Sequence, residues 1–108
     1  PSSPPITANG TAGQMVKSFY QAWIEGRYKD MLTYIDSTTL KNFASVTNGS
    51  QRWLDMMKGV YEAKPFVRAE VIYEGAGYVD VRVYYQNKTT EDIHLLVVKE
   101  GATWKIDP

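Results

Sequence analysis

The stretch MVKSFYQAWIEGRYKDM, residues 15–31, carries the pattern from which the rest of the chain can be read. Val16, Phe19, Tyr20, Trp23 and Ile24 recur at i, i+3, i+4, i+7 and i+8, while Lys17, Ser18, Gln21 and Glu25 take the other side. That spacing is one buried face of a helix, predicted here over Gln14 to Glu25. Gly26 stops it, since a glycine after the last periodic residue supplies the left-handed cap that other residues adopt at a cost. Tyr28, Met31, Leu32 and Ile35 restart the pattern in a short second helix from about Arg27 to Ile35.

Working outward, Asp36 and Ser37 are N-cap candidates for a third helical segment carrying Leu40, Phe43 and Val46. Asn48-Gly49 turns the chain, Ser50 can cap the next segment, and Trp53, Leu54, Met57, Val60 and Tyr61 again follow helical spacing until Pro65. Beyond Pro65 the period falls to two, the signature of strands. Val67, Ala69, Val71 and Tyr73 alternate with Arg68, Glu70 and Glu74; Val79, Val81, Val83 and Tyr85 alternate with Asp80, Arg82, Tyr84 and Gln86. The segment Glu91 to Lys99 is apolar on both faces, with Ile93, Leu95 and Val97 against Leu96 and Val98, and Trp104 and Ile106 close a last short strand.

Helices followed by an antiparallel meander make an α+β domain, with N-terminal helices packed on the concave face of a curved, mainly antiparallel sheet. The run Phe19 to Tyr28, together with Leu95 to Lys99, Gly101 and Trp104-Lys105-Ile106-Asp107, resembles the nuclear transport factor 2-like superfamily, whose fold is a cone. Within it the chain is most similar to small extracytoplasmic bacterial lipoprotein modules and to the N-terminal domain of low-affinity penicillin-binding proteins, a likeness spanning roughly Thr11 to Pro108. The resemblance implies a non-catalytic accessory domain at the cell envelope, acting in protein association or as a spacer. It also implies secretion, or anchoring through an N-terminal segment that these residues do not include. Because the fold hosts many unrelated activities, it suggests a pocket without naming its contents.

Composition narrows the classes. At 108 residues, with 44% hydrophobic side chains, this is one domain, residues 12–108, preceded by residues 1–11, PSSPPITANGT, a composition that reads as a flexible tether. Twelve basic and twelve acidic residues balance without a basic cluster, so nucleic acid and anionic membrane are not expected partners. Cysteine is absent, which excludes disulfides and thiolate chemistry; no metal-ligand spacing or phosphate-binding glycine loop is present, and no cofactor is expected. Asn9, Asn48 and Asn87 head Asn-X-Ser/Thr triplets, a glycosylation pattern that ordinary turn composition also produces.

Three sets of residues are candidates for function. Tyr20, Trp23, Tyr34, Trp53 and Tyr61 could line an aromatic cone pocket for a small molecule, although aromatic residues at helical spacing more often form core. Leu96 and Val98, joined by Ile72 and Tyr84 on outward positions, would leave an apolar patch suited to a homodimer or a neighbouring domain. The single histidine, His94, stands two residues from Asp92. If that strand turned its other face inward, the pair would become a general base in the cone, as in the isomerases and dehydratases of the resembled superfamily. With Val97 inward His94 is chemically idle, no catalytic residue is assigned, and the concave wall is expected to carry no ionisable group.

Overall fold

Four helices are followed by four strands, and the computed structural model describes residues 10–108. Most of the expected tether, with Asn9, lies outside the described residues. Its last member, Thr11, belongs to the fold. Helix α1, Ala12–Ile24, opens on Thr11, whose hydroxyl accepts the Gln14 N–H while the Gln14 side chain accepts the Thr11 N–H. This reciprocal capping box satisfies two donors that a helix start otherwise leaves open. The Glu74 carboxylate, reaching across from the sheet, accepts the N–H of Gly13. A Cβ at Gly13 would come within 2.6 Å of that carboxylate, so a larger residue there would displace the Glu74 side chain. At the other end Gly26 adopts φ 75°, and the Arg27 N–H bonds back to the Ala22 carbonyl at 2.8 Å, closing the helix as its sequence predicts.

Helix α2, Tyr28–Met31, continues into a 3-10 turn, Leu32–Tyr34; helices α3, Ser37–Ala44, and α4, Gly49–Ala63, follow. Helix α4 starts earlier than the expected Ser50 cap: Asn48 takes the left-handed conformation at φ 55° and stands at the cap position. Ile35 pairs with Ile106, and the Asp36 N–H donates to the Ile106 carbonyl at 2.9 Å, fastening the helical layer to the sheet's last strand.

The sheet is an antiparallel meander, β1 Phe66–Gly75, β2 Tyr78–Tyr85, β3 Thr90–Glu100 and β4 Thr103–Asp107, in the order β1-β2-β3-β4. Helix α1 lies across its inner face, where Val79, Val81 and Val83 meet Met15, Val16 and Phe19 in the core. The expected alternation holds in β2 and β3 and fails in β1. Bulges between Phe66 and Arg68 and between Val71 and Tyr73 each insert one unpaired residue, and each reverses the parity beyond it. Phe66 is therefore buried while Val67 and Tyr73, expected on the core face, are exposed at 51% and 56%.

Candidate functional site

The inner face is not filled to its end. Between the second half of α1, the last turn of α4 and the open end of the sheet lies a cavity of about 400 Å³. Tyr20 and Trp23 form its floor, Phe66 and Ile93 stand on the sheet side, and Val60 and Ala63 form the helical wall. The floor is rigid. The Trp23 indole N–H donates to the Met57 carbonyl at 2.8 Å, and the Phe66 ring meets Trp23 and Tyr61 edge to face at 4.9 and 5.0 Å. Tyr20 is only 4% exposed and packs on the same rings.

Polar chemistry enters at the rim. Tyr85, at the end of β2, donates its hydroxyl to Glu91 Oε1 at 2.5 Å. Glu91 pairs with Val83 and shares the parity of Ile93, Leu95 and Val97, so β3 presents it on the inner face. Burial, reinforced by the hydrogen bond to Glu91, pushes the Tyr85 phenol up to about 12; burial, with the nearby Tyr85 and Glu91, pushes Tyr20 up further. Both phenols keep their protons at neutral pH. Lys64, just past α4, lines the same opening and sets its ammonium 4.0 Å from the centre of the Tyr85 ring.

Two of the five aromatic candidates, Tyr20 and Trp23, meet at this cavity. Tyr34 packs edge-on against Phe19, Trp53 is wedged between Phe19 and Phe43, and Tyr61 supports Phe66 from outside the cavity. The seating of α3 and α4 on α1 determines this division, and no helical period encodes it. Conversely, Lys64, Phe66, Tyr85 and Glu91 were not among the candidates. For Tyr85 and Glu91 the alternation of their strands is a sufficient signal. For Phe66 the bulge beside it erases that signal. The concave wall thus does carry an ionisable group, contrary to expectation, and it sits at the rim.

The outer face is a solvated lattice of polar pairs. His94 points outward with 57% of its side chain exposed, and its Nδ1 lies 2.6 Å from Asp80 Oδ1, not from Asp92. Asp92 binds the Arg82 guanidinium through two bonds of 2.8 and 3.1 Å, which holds its carboxyl below the usual range. A His94–Asp92 base inside the cone is therefore ruled out by the register of β2 on β3. Arg68 pairs with Glu70 on its own strand and stacks over Tyr84, whose hydroxyl donates to Glu70.

The four proposed association residues do not form one patch. Leu96 stands opposite Tyr78 and Tyr84 opposite Thr90, placing Leu96 and Tyr84 about 20 Å apart along β2. Ile72 sits at the second bulge of β1, and Val98 is half-buried beside Lys105. Around Leu96 the neighbours are aromatic: Tyr78 stacks on His94 at 4.5 Å and on Tyr73 at 5.8 Å.

Other features weigh less. A shallower hollow between α2 and α4 is lined by charges of both signs, of which Arg27 already pairs with Glu25 and Asp30 at 2.8 Å. The Asn87 side-chain oxygen accepts the Thr89 N–H and hydroxyl, which accounts for that Asn-X-Thr triplet as a turn. Among the described residues no group of three or more acidic or histidine side chains could hold a metal, and no helix is long and apolar enough to cross a membrane.

No protein-family model and no curated protein matches the chain. Its backbone does find a counterpart among solved structures. A Campylobacter jejuni protein that carries the name NTF2-like transpeptidase superposes on 87% of this chain and 94% of its own, with a TM-score of 0.66 and 13% identity. The fold is nuclear transport factor 2-like. At that identity the likeness speaks for the helical layer and the curved sheet, and the chemistry at the cone's mouth has to be argued from this chain's own residues.

Proposed function

We propose that this chain is a non-catalytic accessory domain working outside the cytoplasm at the cell envelope, and that it holds a small apolar molecule in the mouth of its cone. The observation that carries this reading is the cavity of about 400 Å³ with a rigid aromatic floor. Ligand sites commonly span about 300–1,000 Å³, with apolar walls and a few convergent polar groups. Tyr20, Tyr85 and Glu91 are such a set. The envelope setting draws support from the Pro- and Ser-rich first residues, a composition suited to a tether.

The reading is tested by titrating the ¹⁵N-labelled domain with 2-phenylethanol. Shifts concentrated at Tyr20, the Trp23 indole and Ile93, and lost in Val60→Trp, which fills the mouth from an exposed position, support it. Scattered shifts, or none, contradict it.

A second reading, association through the outer face to a second copy or a neighbouring domain, is favoured by Leu96, 53% exposed beside the Tyr73–Tyr78 stack. Leu96→Asp then lowers the sedimentation coefficient of an associated form while leaving the melting curve unchanged; a monomer before and after the substitution counts against it.

A further inference from the structure

The rim of the cavity combines aromatic faces with a single fixed acid, and that combination selects a class of ligand. We infer that the cone's mouth takes a small apolar amine, its carbon body on Tyr20, Trp23 and Phe66 and its ammonium between the Tyr85 ring and the Glu91 carboxylate. The inference rests on the reading of the cavity as a binding site and adds the charge of the ligand.

Aromatic rings attract cations through their negative faces, and an adjacent carboxylate adds to that attraction. The protein already demonstrates the first part: the Lys64 ammonium lies 4.0 Å over the Tyr85 ring, where the chain's own cation occupies the position assigned to the ligand's. The charges at the opening are one acid and one base, and they are held differently. Both are exposed, but Glu91 is fastened by the Tyr85 hydroxyl at 2.5 Å, whereas Lys64 lies at the end of α4 and touches Tyr85 through its ring face. A long lysine stem can swing into solvent at little cost, and the carboxylate stays. An anionic ligand would meet the fixed Glu91, and the Tyr85 hydroxyl that could have donated to it already donates to that acid. A neutral ligand would gain at most a hydrogen bond from Glu91, without the charge attraction.

Calorimetric titration with three probes of similar shape separates the possibilities: 2-phenylethylamine, 2-phenylethanol and 3-phenylpropanoate. The expected result is binding at least tenfold tighter for the amine than for the alcohol, with the carboxylate weakest. Glu91→Gln should remove that preference, and Lys64→Met should strengthen amine binding severalfold by vacating the ring. Equal affinity for amine and alcohol overturns the inference and leaves the binding site standing. Failure of all three probes overturns both. A preference for the carboxylate, or weaker amine binding in Lys64→Met, overturns the inference by assigning the lysine the opposite role.

Discussion

Each face of the sheet holds a carboxylate bonded to an aromatic partner, Glu91 with Tyr85 on the inside and Asp80 with His94 on the outside. The local chemistry is similar and the surroundings are not. Glu91 stands at the edge of a cavity walled by Tyr20, Trp23 and Phe66, so a molecule bound there exchanges water for carbon. Asp80 and His94 lie on the outer face among Arg82, Asp92 and Tyr78, and Asp80 is half-buried where Glu91 is exposed. The adjoining cavity, more than the identity or the burial of the charged residues, therefore separates a candidate site from a decorated surface. Catalytic reasoning that begins from the chain's single histidine is drawn to the wrong face.

The sharpest way to break this contrast is to remove matched side chains from the two faces. Phe66→Ala, in the cavity's sheet-side wall, should cost about 3–5 kcal/mol in equilibrium denaturation. Leu96→Ala on the outer face should change monomer stability by under about 0.5 kcal/mol. Similar losses at both positions would mean that the outer face is also covered. Trp23→Phe should cost about 1–3 kcal/mol, because the Met57 carbonyl loses its donor inside the helical layer.

Alkaline pH addresses the inner face selectively. Tyr85 and Tyr20 titrate higher in the folded protein than the ordinary phenol value near 10, so the unfolded chain releases their protons first. Stability should be intact below about pH 10 and decline as pH rises toward the folded value of about 12 for Tyr85, with the decline shallower in Tyr20→Phe and Tyr85→Phe. A pH-stability profile that is flat from 9 to 12 would count against the buried phenols. Glu74→Ala, which removes the acceptor at the start of α1, should cost about 0.5–2 kcal/mol and lower hydrogen-exchange protection in the first turn. Smallest of all, Arg82→Gln on the outer lattice should leave the melting curve unmoved, because the pair it breaks with Asp92 is exposed.

The parts of the fold visible in the sequence are those governed by local periodicity and turn chemistry. Val16, Phe19, Tyr20 and Trp23 mark the buried face of α1, Gly26 its end, and Val79, Val81 and Val83 the core face of β2, all as observed. Strand β1 departs from its period because a bulge is a relation between two strands: nothing in Val67 or Ile72 announces that the partner strand has one residue fewer. The site was half visible. Tyr20 and Trp23 follow from the helix, and Tyr85 and Glu91 follow from strand parity once the charge on Glu91 is not taken as proof of an outward position. The placement of Phe66 and Lys64 depends on how the α4–β1 junction sits over the sheet, a tertiary outcome that no spacing in the chain records.

The decisive measurement is a residue-resolved ¹⁵N NMR titration of the wild-type domain with 2-phenylethylamine. The inner-face assignment predicts that Tyr20, the Trp23 indole, Tyr85 and Glu91 move along one saturating isotherm while Asp80, His94 and Leu96 stay in place. Movement centred on His94 and Leu96, with the cone's mouth silent, would contradict it.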